Sequence, residues 1–162
     1  MIIGLYENAM DYIFRIVDKE DIEQLTILRV KVLIAANELS RDTDMSLVEK
    51  ETRKYYEDFL GKEEHFAVVA YDNGKPIGTG AISFYKVMPT YHNVTGEKAY
   101  IMNMYTEPEY RRRGIATRIL KMLIEEARKR NIVEVTLEAT KMGKRLYEKN
   151  GFSIMESEME LK

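Results

Sequence analysis

The sequence predicts an α/β (α+β) fold: a mixed sheet with helices on both faces. Three observations predict it. An Asn73-Gly74 pair joins two β-prone runs, the strongest short hairpin signal available. Ile115 to Arg130 is amphipathic at helical spacing. Strand-like runs flank that helix, so a parallel, right-handed β-helix-β crossover is expected between Tyr100 and Leu137.

The elements follow in order. Tyr12 to Val17 alternates as a short strand. Asp18 offers an N-cap, with Asp21 three positions on as a weak capping box. Ile22, Leu25, Ile27, Leu28, Val32 and Leu33 then recur at helical spacing to about Asn37. After a polar loop, Ser40 to Asp44, a second helix should run from Ser46 to Leu60, with Gly61 at its C-terminal cap. Phe66 to Tyr71 and Ile77 to Phe84 form the hairpin, and Met88 to Gly96 is a loop. Lys98 to Thr106 is β-prone and stops at Pro108, which cannot donate to a sheet ladder. Ile132 to Leu137 is a short apolar strand, Lys141 to Lys149 a short helix stopped by Asn150-Gly151, and Phe152 to Leu161 a final strand. The order is β-α-α-β-β-β-α-β-α-β.

Composition narrows the function. The chain has 162 residues, 45% hydrophobic and 32% charged, which suits a soluble globular domain. The three prolines mark no linker and no repeat occurs, so residues 1–162 are expected to form a single domain. A net charge of -2 gives no bulk attraction to nucleic acid or to an anionic membrane. There is no cysteine, which excludes disulfides, thiolate metal sites and a covalent thioester on the protein. The two histidines, His65 and His92, read as surface or turn residues, too few for a His-rich metal site, so no metal is expected. No uninterrupted apolar run reaches the ~18 residues needed to span a bilayer. Met1 to Asp11 carries Glu7 and Asp11 and no basic residue, unlike a secretion signal, and a cytoplasmic location is expected.

The informative stretch is Arg111-Arg112-Arg113-Gly114-Ile115-Ala116-Thr117, after a strand and at a helix start. Such a start presents unpaired N–H groups and the positive end of the helix dipole, which together bind phosphate. Gly114 lacks a Cβ, and Ala116 is small, so an anion can approach the backbone closely. Arginines grip phosphate with paired hydrogen bonds. The spacing is neither a Walker loop nor a G-x-G-x-x-G fingerprint. Taken alone, an exposed basic turn is the competing reading.

The run from Met102 to Ala116 resembles the acetyl-CoA segment of the GNAT superfamily of N-acetyltransferases. That family carries Gln/Arg-x-x-Gly-x-Gly/Ala there, matched by Arg111, Gly114 and Ala116. Arg145-Leu146-Tyr147-Glu148-Lys149-Asn150-Gly151-Phe152 is similar to its Leu-Tyr-Glu-Lys-x-Gly-Phe motif. The resemblance implies a mostly antiparallel central sheet and an N-acetyltransferase moving the acetyl group of acetyl-CoA to a primary amine, by direct attack in a ternary complex. It implies that Arg112 to Thr117, Ile115 included, cradle the pyrophosphate. It also implies that the backbone of Met104, Tyr105 and Thr106 pairs with the pantetheine arm like an added strand, with one of its N–H groups facing the acetyl carbonyl. Tyr147 would protonate the departing sulfur. Thr140 stands where many members have a pantetheine-binding Asn, a departure with shorter reach. For the base, Glu138 and Glu107 are both candidates.

The expected partner is a small-molecule or peptide amine, not nucleic acid or membrane. The family often forms homodimers, and the oligomeric state stays open. The acceptor is not named by any motif, although Tyr55, Tyr56, Phe59, Tyr85 and Tyr91 are candidates for its pocket against ordinary packing. The alternative is a non-catalytic acyl-CoA-binding or sensing module, which would keep the cradle without a usable acceptor site.

Overall fold

A computed structural model describes residues 12–162; Met1 to Asp11, and the expectation about them, lie outside the described residues. The elements are β1 (Ile13–Ile16), α1 (Ile22–Ala36), α2 (Ser46–Phe59), β2 (His65–Asp72), β3 (Lys75–Lys86), β4 (Glu97–Thr106), α3 (Ile115–Lys129), β5 (Glu134–Leu137) and α4 (Lys144–Lys149). The five strands lie in sequence order, β1-β2-β3-β4-β5. The first three pairings are antiparallel, and β4 pairs with β5 in parallel. The parallel pair follows from chain length: α3 returns the chain to the end of the sheet from which β4 started.

Local chemistry explains most boundaries. Asn73 and Gly74 both adopt positive φ, 46° and 80°, as a two-residue hairpin turn matched to strand twist requires. The Asp18–Asp21 capping box forms. It closes a short 3-10 turn (Lys19–Asp21) that leads directly into α1. Pro108 likewise opens a 3-10 turn (Pro108–Tyr110) after β4.

The sheet is buried on both faces. On one, α3 lays Ile115, Ile119, Leu120, Leu123 and Ala127 over Val68, Ala70, Ile77, Ile82, Ala99 and Ile101, with Tyr147 of α4 in the same cluster. On the other, Leu25 and Leu28 of α1 and Tyr56 of α2 pack on Ala67, Val69, Tyr71 and Ala81. The alternation of β2 residues between the two clusters is the period-2 pattern of a strand covered on both sides.

Three expectations need correction. The segment Phe152–Leu161 forms no strand. Its Glu156, Glu158 and Glu160 alternate along one side, and Met159 and Leu161 are almost fully exposed, so neither face of a strand there would be buried. His65 is not a surface residue: it is buried against Tyr55 and Tyr56. Ile27, at helical spacing with the core residues, is exposed; α1 is apolar nearly all round, and spacing alone does not single out the buried face. Among the described residues, no helix is long and apolar enough to cross a membrane, and no group of His, Cys, Asp or Glu could hold a metal ion.

Candidate functional site

The site begins at an interruption in β4. Thr79 pairs with Tyr105 and Ala81 with Met102, so Asn103 and Met104 together oppose the single residue Gly80. This is a β-bulge, and Asn103 takes the left-handed conformation it needs, with φ 58°. Asparagine tolerates that region better than most residues. The bulge also shifts the phase of the strand. Ala99 and Ile101 face α3, and the next residue to do so is Met104, three positions on rather than two.

Just before the bulge, β5 stops pairing. The parallel rungs run from Lys98↔Glu134 to Ile101↔Leu137, and the rest of β4 has no strand partner on that side among the described residues. Met102 to Thr106 thus presents an open backbone edge, a template for an added extended chain. At its end, the Thr106 Oγ1 is buried with no hydrogen-bond partner among the described residues, an acceptor or donor left for something else.

Beyond the edge lies the basic turn. Arg112 and Gly114 are both left-handed, with φ 65° and 81°, a backbone form that turns successive N–H groups toward one side. The first helical bond of α3 runs from the Arg118 N–H to the Gly114 carbonyl, 3.0 Å. The N–H groups of Ile115, Ala116 and Thr117 therefore have no acceptor within the helix. The first turn of α3 contains no acidic residue to compete for them. A Cβ on Gly114 would meet nothing within 4 Å, so the space over the turn is open.

The arginines divide their work. Arg111 donates from Nε to the Thr106 carbonyl, 3.1 Å, and reaches Met142 Sδ at 3.6 Å, tying the end of β4 to the turn before α4. Arg113 turns away to Tyr12 Oη, 3.0 Å, and stacks over the Tyr110 ring. Arg112 is exposed at the turn.

The turn before α4 completes one wall. Thr140 Oγ1 accepts the Gly143 N–H at 3.2 Å, which leaves its hydroxyl proton free to donate. Tyr147 is buried, with its ring edge against Phe152. Burial, and secondarily the neighbouring Tyr100, raise its phenol above the ordinary value, so it holds its proton firmly. The Tyr100 phenol in turn is raised by burial and then by the charge of Glu138, the residue that follows β5. Tyr100, Glu138 and Tyr147 meet where the two strands part.

On the opposite face, α1 supplies two cations. Lys31 pairs with Glu107, whose other oxygen accepts from the Tyr105 hydroxyl at 3.2 Å. Arg29 donates to Asn103 Oδ1 at 3.3 Å. Of the aromatic residues suggested for an acceptor pocket, Tyr56 is buried beside this pair, and Tyr55 bonds to His65 Nδ1 (3.1 Å) and Ser83 Oγ (2.9 Å). Tyr91 stands exposed in the loop before β4, edge-on to the His92 ring.

The model of the acetyltransferase (GNAT) family matches residues 33–152, most of the chain. The protein belongs to the GNAT family. This GNAT chain is similar to the predicted acetyltransferase of Clostridium acetobutylicum solved with acetyl-CoA. The two are 38% identical, with a TM-score of 0.85 over 93% of this chain and 96% of that one. The GCN5-related N-acetyltransferase of Ralstonia eutropha JMP134 is 24% identical with TM-score 0.80, over 93% and 97%. The glucosamine-6-phosphate N-acetyltransferase of Arabidopsis thaliana is 18% identical with TM-score 0.65, over 92% and 97%. The last two are likenesses of fold alone. No curated protein matches the chain.

Sequence reading overlooked Tyr100, Asn103 and Arg29. The phase slip from Ile101 to Met104 is the one trace of the bulge in the sequence, and the apolar Met102 between them hides it.

Proposed function

We propose that this GNAT protein transfers the acetyl group of acetyl-CoA to a primary amine, by direct attack of the amine in a ternary complex. One observation supports it above the rest. A buried phenol with a raised pKa, Tyr147, stands at the point where an open β4 edge leads away to an anion-ready helix start.

Each role follows from that layout. The N–H groups from Arg112 to Thr117, with Gly114 leaving the approach open, hold the pyrophosphate, and Arg112 adds positive charge at the rim. The Met104–Thr106 edge takes the pantetheine arm as a strand would, helped by the Thr106 and Thr140 hydroxyls. Arg111 acts through position, fixing the edge against the α4 turn. The thioester of acetyl-CoA supplies the activated acetyl group. Tyr147 gives its proton to the departing thiolate, which a phenol held protonated at neutral pH is suited to do.

Glu138 is the better base. The Glu107 carboxylate is already held by the Lys31 ammonium and the Tyr105 hydroxyl. Glu138 is exposed and adjoins Tyr100 at the parting of the strands, where it can take a proton from the incoming ammonium directly or through water.

The test is calorimetric titration of acetyl-CoA into the wild type and Gly114→Glu, followed by an amine screen. Micromolar binding, about -8 kcal/mol, that vanishes in the variant is expected, together with CoA release on adding an acceptor amine. No binding by the wild type would refute the cradle. Tight binding with no turnover on any amine would leave a sensing module instead.

A further inference from the structure

Arg29 is a half-buried guanidinium that forms no ion pair among the described residues. Three other arginines on or beside the helices and sheet are paired with carboxylates: Arg15 takes Asp21, Arg53 takes Glu23 and Glu49, and Arg130 takes Glu126. Among the described residues, Arg29 has one partner, the neutral amide oxygen of Asn103 at a long 3.3 Å. Five N–H donors in a planar fork are thus spent on a single weak bond. A guanidinium still in partial contact with water and without a carboxylate has N–H donors left to grip an arriving anion.

Its placement relates it to the reaction centre. Asn103 is the bulge residue of β4, two positions past Ile101, the last residue paired with β5. Glu138 is one position past Leu137 on the other strand. Both therefore lie within about 7 Å, measured along the strands, of the point where they part. They also serve the same face. Asn103 meets Arg29 on the α1 side. Tyr100, whose phenol feels the charge of Glu138, pairs with Ser83, and Ser83 bonds to Tyr55 of α2 on that side. The charge of Arg29 reaches the buried Tyr56 hydroxyl, where it opposes the upward pull of burial, so a second donor stands close by.

We infer that the acceptor is an amine that also carries a carboxylate, an amino acid in the broad chemical sense, with Arg29 gripping the carboxylate while the amino group points toward Glu138 and the thioester. The inference rests on the acetyl-transfer reading for the amino group alone; the carboxylate site stands on Arg29 and its surroundings. An amine without an anion leaves the fork unpaired and binds less well. Asn103 acts as a positioning residue, holding the guanidinium at the mouth of the gap.

The experiment uses matched pairs: phenylalanine with phenethylamine, methionine with 3-(methylthio)propylamine, and lysine with cadaverine. Each compound is titrated calorimetrically into the CoA-saturated full chain, as wild type, Arg29→Lys and Arg29→Gln, and then assayed for acetyl transfer. The wild type is expected to bind at least one acid and to prefer it to its partner by roughly 10–100-fold, the worth of a charge-assisted hydrogen-bond pair. Arg29→Gln should lose that preference, and Arg29→Lys should keep part of it, with acetyl-CoA affinity and thermal midpoint unchanged in both. The inference is overturned if no acid binds, if the partner amine binds as well as the acid, or if Arg29→Gln weakens acids and plain amines alike. Acid binding that needs Arg29 but yields no acetylated product would uphold the clamp and remove acetyl transfer.

Discussion

Gly80 lies flush against Met104: a Cβ on the glycine would stand 2.5 Å from the methionine Sδ, and equally 2.5 Å from Ile119 Cγ2. The bulge that opens the site is therefore seated on a position where β3 has no side chain, and α3 packs down onto the same spot. Gly80→Ala forces both neighbours to move. It should destabilise the fold by about 1–3 kcal/mol and weaken acetyl-CoA binding, because the displaced Met104 belongs to the edge proposed to hold the pantetheine arm. Urea denaturation and calorimetry on one preparation check both effects. Unchanged stability would mean that the close contact relaxes without cost.

Tyr147→Phe removes one hydroxyl and keeps the ring in its place against Phe152. If that hydroxyl is the acid, kcat should fall by roughly 100-fold while acetyl-CoA affinity stays within about twofold of the wild type. The pH profile provides a second reading. The phenol is shifted upward from 10.0, so it stays protonated through the neutral and mildly alkaline range. The wild-type kcat should hold until the pH exceeds about 10, and the variant should lack any such limb. Full turnover by the variant at neutral pH would dismiss the acid role.

The Lys31–Glu107 pair is asymmetric: the carboxylate side chain is 8% exposed, the lysine 50%. Lys31→Ala leaves a nearly buried carboxylate with the Tyr105 hydroxyl as its remaining partner. Water reaches the lysine side, so the expected loss is about 1–2 kcal/mol rather than the full cost of orphaning a buried charge. Adding Glu107→Gln should recover part of the loss, because the unpaired charge disappears. A double-mutant cycle by urea denaturation measures that recovery. Simple additivity would show that the two residues do not depend on each other.

What the sequence reveals, and what it hides, divides by range. The Asn73-Gly74 hairpin, the helix over Ile115–Lys129 and the Arg111–Thr117 turn are all legible, because each is specified by residues close along the chain. Asp18 and Asp21 mark the start of the first helix for the same reason. The strand expected at Phe152–Leu161 is not found, because a strand needs a partner edge and alternation alone cannot supply one. Arg29 and Asn103 are 74 positions apart, and no local pattern links them. Tyr100 looks like any strand tyrosine until β5 brings Glu138 beside it. The basic turn proposed to hold phosphate could thus be read from sequence, while the Arg29–Asn103 contact between α1 and β4 could not.

His65 shows the same limit and yields a prediction about stability. It is buried in β2, its Nδ1 sharing hydrogen bonds with Tyr55 Oη and Ser83 Oγ, both at 3.1 Å, while its Nε2 has no partner among the described residues. Burial lowers its pKa from 6.5 to about 4, since the imidazolium would be charged in an apolar setting. The folded protein therefore resists protonation that the unfolded chain accepts. Below pH 6.5 the unfolded state binds the extra proton, so the contribution of neutral His65 is complete above that pH and is lost as the pH falls toward 4. The loss should approach about 3 kcal/mol. His65→Phe fills the same aromatic pocket without a titrating group and leaves Tyr55 and Ser83 bonded to each other at 2.9 Å. Its urea midpoint should therefore change less than that of the wild type between pH 6.5 and 4. Parallel curves for the two proteins would place the acid sensitivity elsewhere.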